Sequence, residues 1–281
     1  MIFEEFVKCS KDFVYFAEKY LKINHPKKGL IPFTLFDYQK RLISDYESHN
    51  YVITAKWRQG GFSTLTVLHG LWHCMFKPDS RFLFISKTDR EARALSKVVE
   101  NAINNLPDTF KPLLTKSNDH EKRFECTGSI MNFFSPEPGC GRAFTHLIID
   151  EAAFIRNMDE HWKAMWPQIQ GKCFVLSTVN GIGNWFAETY IDAREGKNKF
   201  KVFESSYKEH PEYNNEEWVA QVRKNLGERG WMQEFECCFV GSEPTKEDKL
   251  RYKLMQILND NKLLPKDMIK GMLVTLMEYE T

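Results

Sequence analysis

The sequence predicts an α/β fold, a mostly parallel sheet flanked by helices with a small helical lid subdomain. Three observations carry that reading. Apolar runs of strand length alternate with helix-like stretches. A glycine-bearing turn, Lys56 to Thr64, joins a strand to a helix. A later apolar strand, His146 to Asp150, ends in the adjacent carboxylates Asp150 and Glu151. With 281 residues and 42% hydrophobic content the chain can bury a sizeable core, as one large or two modest domains, so disorder and fibrous architecture are excluded.

Taken in order, residues 1–35 read as an N-terminal helical lid segment: Glu4 to Leu21 is helical and is stopped by Pro26, Gly29 and Pro32. Residues 36–212 form the core. Its strand candidates are Tyr51 to Ala55, Arg81 to Ser86, His146 to Asp150 and Lys172 to Ser177, each short, apolar and followed by polar or glycine-bearing residues. Ser63 to Phe76, Asp89 to Asn105 and Asn157 to Gln168 read as the intervening helices, and Arg123 to Phe134 as a hairpin turning at Thr127 and Gly128. Phe203 to Ser206 adds one more strand. Residues 213–243 are the helical C-terminal part, with Glu216 to Cys237 broken near Gly227 and Gly230, and residues 244–281 are a charged helical tail around Pro265.

Lys plus Arg number 39 against 38 Asp plus Glu, a net charge of +1, so a histone-like polyanion binder is excluded and any nucleic-acid surface must be a local patch. Lys87, Arg90 and Arg93, just after the second strand, offer such a patch or simply a solvated helix start. The N-terminus carries acids where a signal peptide needs bases, and no apolar run approaches the roughly 18–20 residues of a membrane span, so a soluble, unexported protein is expected. The seven cysteines lack any CxxC spacing and read as reduced structural thiols. The 22 Phe and 7 Trp read as core packing.

The chemistry is concentrated in four segments. In Lys56-Trp57-Arg58-Gln59-Gly60-Gly61-Phe62-Ser63-Thr64 the glycines let backbone amides approach phosphate oxygens, and the helix N-terminus that follows adds its partial positive charge. Against GxxxxGK[ST], Gly61 and Ser63 match, Lys56 replaces the first glycine and Phe62 stands where the lysine belongs; ordinary turn chemistry is the competing reading. Asp150 at a strand tip suits Mg²⁺ and Glu151 suits a base that polarises the attacking water, or both are solvated acids. The order of loop and then acidic strand, about 90 residues apart, favours a nucleotide hydrolase. Ser177, Thr178, Asn180 and Gly181 end a further strand, either to sense the γ-phosphate or to cap a helix. Arg142, between glycines before the acidic strand, is a candidate arginine finger or a surface arginine. His69 and His73 share a helix face four residues apart with Cys74 following; with no complementary ligand pair apparent, metal ligation is set aside.

From about residue 5 to about residue 242 the chain resembles the ATPase part of tailed-bacteriophage terminase large subunits, DNA-packaging motors of the T4-like type. The resemblance rests on Lys11 to Phe16, Leu35 to Gln39, Trp57-Arg58-Gln59, Ile149 to Ile155, Ser177 to Gly181, and Gln233-Glu234-Phe235 with Phe239 and Gly241. It implies a P-loop NTPase core of the ASCE, RecA-like kind that hydrolyses MgATP to translocate double-stranded DNA into a procapsid. It implies adenine recognition by Tyr38 and Gln39, and a phosphate loop from Arg58 through Thr64. Mg²⁺ falls to Asp150 with Ser63, catalysis to Glu151 with Arg142, and coupling to Ser177 and Thr178. The implied partners are a portal protein, a small terminase subunit and further copies of the chain in a ring docked on the procapsid, in the host cytoplasm.

Two departures qualify the resemblance. Phe62 removes the loop lysine, so another cation must serve the β- and γ-phosphates, with Arg58 the first candidate and Lys56 the second. Only 40 residues follow Gly241, too few for an RNase H-like nuclease domain, so no DNA cleavage is expected and a separately encoded nuclease is a further partner. A helicase reading requires a second RecA-like domain for which the chain is too short. A scaffold that binds nucleotide without turnover remains the alternative.

Overall fold

The computed structural model describes residues 2–25, 27–136 and 143–239. The N-terminal segment holds α1 (Ile2–Lys11), α2 (Phe13–Tyr20), β1 (Lys22–His25), β2 (Gly29–Pro32) and α3 (Asp37–Ser48). The sheet region contains β3 (Tyr51–Ala55), α4 (Phe62–Phe76), β4 (Arg81–Ile85), α5 (Asp89–Asn104), β5 (Leu114–Ser117), β6 (Glu121–Phe124), β7 (Ile130–Phe134) and β8 (Phe144–Asp150). It continues through α6 (Met158–Met165), β9 (Ile169–Ser177), α7 (Trp185–Arg194) and β10 (Lys201–Phe203) to α8 (Glu216–Glu234).

The main sheet has eight strands in the order β10-β3-β9-β8-β4-β7-β6-β5. Strands β10 through β7 run parallel, and β7-β6-β5 close one edge as an antiparallel meander. The central strands are apolar on both faces because both faces are covered. Val52, Phe82, Phe84, Ile148, Phe174 and Leu176 point into a core shared with α1 to α5 and α8. Their alternating neighbours Ile53, Leu83, Ile85, Leu147, Ile149 and Val175 point into a second core against α6 and α7. Among the described residues no helix is long and apolar enough to cross a membrane.

The N-terminal stretch differs from its sequence expectation in two ways. It is two helices, not one, because the Asp12 side chain accepts the Tyr15 amide at 2.9 Å and caps a new helix there. Gly29 and Pro32, two of the residues that stop it, also belong to a hairpin, β1 paired antiparallel with β2. Phe13 and Phe16 of α2 pack in the same core as Trp72 of α4. The break within α8 falls at Gly227, whose φ of 69° and ψ of 165° leave the helical region.

A carboxylate fastens α1 to α2. Glu5 accepts from Lys19 Nζ at 2.7 Å, Tyr20 Oη at 2.7 Å and Tyr15 Oη at 2.9 Å. These donors, Lys19 foremost, lower its pKa from 4.5 to about 2. A depressed carboxyl contributes above its unfolded pKa and loses that contribution as pH falls through the folded one, here between 4.5 and about 2. A carboxyl-carbon NMR titration should therefore give Glu5 a midpoint near 2, moving toward 4.5 in Lys19→Met.

Candidate active site at the carboxyl ends of the central strands

The parallel register brings three strand ends together. Ala55 of β3 lies beside Ser177 of β9, and Asp150 of β8 lies beside Leu176 on the other side of the same strand. β9 is thus inserted between the loop-bearing strand and the acidic strand. Crevices at the carboxyl ends of parallel strands are where open α/β sheets bind ligands.

The turn from β3 into α4 is held from both sides. The Lys56 amide donates to Ser177 O at 2.8 Å, and Gly61, with a φ of 72°, is the N-cap of α4. On one flank Tyr38 Oη and Gln39 Nε2 of α3 donate to Gly60 O at 2.8 and 3.2 Å. Both side chains are buried, so they shape the loop and present no open face to a base. On the other flank the Arg58 amide donates to Glu234 O at 2.7 Å, Arg58 Nε donates to Glu234 Oε2 at 2.9 Å, and Tyr213 Oη donates to Gln59 Oε1 at 3.3 Å. Arg58 is otherwise exposed, as is Gln59. Phe62 points down into the core, against Tyr38 and Trp57 with ring centroids 5.6 and 5.7 Å away. An added Cβ on Gly60 would come within 2.3 Å of the Phe62 ring.

Lys56 occupies the centre of the site. Its buried ammonium lies 2.8 Å from Ser63 Oγ, 2.6 Å from Asp150 Oδ1 and 3.0 Å from Glu151 Oε1. Burial pulls its pKa down, but the carboxylates of Asp150 and Glu151 more than offset that and hold it above the usual lysine value. Glu151 sits in the left-handed region, at φ 55° and ψ 40°, and its Oε2 is buried without a partner. Just past it, the Ala153 amide donates to Ser177 Oγ at 3.0 Å and Asn180 Nδ2 donates to Ala153 O at 3.3 Å. The end of β9 is therefore tied to the turn that carries Glu151, with Thr178 buried alongside.

A hard divalent cation fits this donor set. Ser63 Oγ and an Asp150 oxygen already share one positive charge, the Lys56 ammonium, which stands in for the ion. Thr64 is partly exposed on the first turn of α4. Arg142 and the tail from residue 240, including Gly241, lie outside the described residues.

Sequence reasoning placed Arg58 ahead of Lys56 as the substitute cation. Lys56 is the one within ion-pair distance of Asp150 and Glu151, whereas Arg58 pairs with Glu234. Glu234 and Tyr213 had no assigned role in the sequence. Glu234 lies 176 positions from Arg58, so no local pattern signals the pair. Of the proposed DNA patch, Lys87 pairs with Glu91 at 3.2 Å and Arg93 with Asp89 at 2.5 Å, while Arg90 is exposed.

No protein-family model matches the sequence. Solved structures do resemble the fold. The ATPase domain of the Thermus phage P74-26 large terminase is 20% identical with a TM-score of 0.61, over 74% of this chain and 95% of that one. The HK97 bacteriophage large terminase is 14% identical with a TM-score of 0.66, over 80% of this chain and 54% of that one. The large terminase of a thermophilic bacteriophage, in complex with ADP, is 11% identical with a TM-score of 0.58, over 73% of this chain and 54% of that one. The chain thus matches about half the length of the HK97 protein and of the thermophilic-phage protein. Its eight-stranded, mostly parallel sheet flanked by helices has the fold of the large terminase ATPase domains.

Proposed function

We propose that this chain is the ATPase motor part of a viral genome-packaging machine, hydrolysing MgATP to move double-stranded DNA into a procapsid. The observation that carries the reading is the meeting of Lys56, Ser63, Asp150 and Glu151 at the mouth of the central strands. Ser63 and Asp150 would hold Mg²⁺, which when bound neutralises charge on the transferred phosphoryl group. Lys56 then turns from the carboxylates to the β- and γ-phosphate oxygens, taking the place of the loop lysine. Amides of residues 60–64 receive phosphate oxygens at the α4 N-terminus. Glu151, with one oxygen unpartnered, orients and deprotonates the attacking water. Ser177 and Asn180 pass the state of that turn to β9 through Ala153.

Arg58 leaves Glu234 to reach the transferred phosphate, and Arg142 acts as a second cation. Tyr38 and Gln39 act indirectly, by holding the loop through Gly60 O. The proposed partners are double-stranded DNA, a portal protein, a small terminase subunit, copies of the same chain in a ring and a separately encoded nuclease. The proposed setting is the host cytoplasm, at the procapsid. DNA is gripped by phosphate contacts, so binding should weaken steeply with salt and show no sequence preference.

Steady-state phosphate release with and without double-stranded DNA tests this. Glu151→Gln is expected to lower turnover by about 10²- to 10⁴-fold while leaving MgATP affinity within about threefold. Arg58→Ala should keep that affinity and lose only rate. MgATP binding with no turnover, even with DNA and portal present, would overturn the motor in favour of a nucleotide-binding scaffold.

A further inference from the structure

The geometry points to a Zn²⁺-class metal site formed by Glu47 of α3 with His69 and His73 of α4, clipping together the two helices that lead to the phosphate loop. The sequence set His69 and His73 aside because no further ligand was apparent; the third ligand comes from a different helix. α3 and α4 pack side by side on one face of the sheet, joined by a hydrogen bond of 3.0 Å between Tyr46 Oη and Thr66 Oγ1. Next to that bond, Glu47 faces the two histidines.

Glu47 Oε1 lies 2.8 Å from His69 Nε2 and 3.7 Å from His73 Nε2, and one ligand atom from each residue falls within 4.8 Å of the others. Residues four apart on a helix project from one face, so the two imidazoles converge without distorting α4. Zn²⁺ bonds of about 2.0–2.2 Å in a tetrahedron put ligand atoms roughly 3.2–3.6 Å apart. The three donors reach that spacing by rotamer adjustments of about 1 Å. The Glu47 side chain, 48% exposed, is free to make most of them.

The surroundings favour metal over a simple ion pair. In the metal-free arrangement Nε2–H donates to Glu47, and Nδ1 is buried without a partner. With an ion at Nε2 the ring proton moves to Nδ1, which has no acceptor among the described residues and so takes a water. The neighbouring cation Lys172 is turned to the backbone carbonyls of Tyr46, Glu47 and His49, leaving the carboxylate to face the imidazoles. His73 is 13% and Glu47 48% exposed against 1% for His69, so an ion enters from the Glu47 side and keeps a solvent ligand there. Two imidazoles and one carboxylate select a borderline ion over Mg²⁺ or Ca²⁺.

α3 supplies Tyr38 and Gln39 to Gly60 O, and α4 begins at the loop with Ser63 on its first turn. Pinning their far ends would stiffen the loop's support whatever reaction the loop performs. The site therefore stands apart from the ATPase reading.

The test uses the full chain, stripped of metal and titrated with Zn²⁺ by calorimetry and with Co²⁺ by visible absorption. One equivalent of Zn²⁺ and the intense bands of four-coordinate Co²⁺ are expected, with Zn²⁺ raising the thermal midpoint. Glu47→Gln and His73→Ala, at the more exposed positions, should each weaken Zn²⁺ at least tenfold while circular dichroism stays unchanged. Affinity within twofold of the parent in both variants would overturn the site. So would six-coordinate Co²⁺ spectra, or a thiolate-to-cobalt charge-transfer band placing the ion on a cysteine such as exposed Cys126. The parent Co²⁺ spectrum decides the matter if a variant fails to fold.

Discussion

Lys56→Ala is expected to lower MgATP turnover by about 10²- to 10³-fold, the effect of removing one preorganised charge-stabilising donor from a phosphoryl-transfer site. It should also weaken MgATP binding, which Arg58→Ala should not. The same change should destabilise the nucleotide-free protein. The Lys56, Asp150 and Glu151 side chains are 7%, 8% and 25% exposed, so removing the ammonium leaves two neighbouring carboxylates with no countercharge. Breaking a buried pair in this way costs about 3–5 kcal/mol. Urea unfolding at pH 7 measures that loss. In the parent the Lys56 pKa is raised, so its stabilisation is complete at neutral pH and is lost only as pH climbs past the usual lysine value. A Lys56→Ala variant with normal affinity and turnover would remove Lys56 from the site.

Phe62→Lys, which restores the apparent loop consensus, is expected to abolish folding rather than improve catalysis. Phe62 is 2% exposed and its ring is packed with Tyr38 and Trp57 under the loop, beside Gly60. Deleting such a ring costs about 3–5 kcal/mol, and an ammonium in its place would also be buried unpaired. For a domain whose whole stability is about 5–15 kcal/mol, that loss should be visible as unfolding in circular dichroism or as insoluble expression. Soluble, folded Phe62→Lys protein with faster turnover would mean that the side chain can turn outward. The double variant Lys56→Ala with Phe62→Lys should recover nothing. The charge is useful at Lys56 because Asp150 and Ser63 meet it there.

Much of the fold was legible because its strands are buried on both faces and so read as unbroken apolar runs. β3, β4, β8 and β9 lie where those runs stand, and α4 and α5 follow β3 and β4 as the alternation requires. α3 and α7 were not read as helices. The first hides because its buried Tyr38, Gln39, Leu42, Ile43 and Tyr46 mix polar and apolar types along one face. The β1-β2 hairpin hides because its strands are short and largely exposed, so no alternation marks them. The break at Asp12 is a contest between an N-cap and a continuing helix, which local sequence leaves close to balanced.

What is local was legible from the chain alone: which segments are strands, that a glycine-bearing loop follows the first strand of the main sheet, and that two carboxylates end a later one. These follow from hydrophobic period, from the conformational freedom of glycine, and from the polarity of strand ends. Which cation faces those carboxylates is set by packing. Lys56 and Asp150 are 94 positions apart, and strand order, with β9 between β3 and β8, brings them to 2.6 Å. The same holds for Arg58 with Glu234 and for Glu47 with His69 and His73. A charge pair or a ligand set is defined by distances of a few ångströms, which chain separation does not encode and packing does.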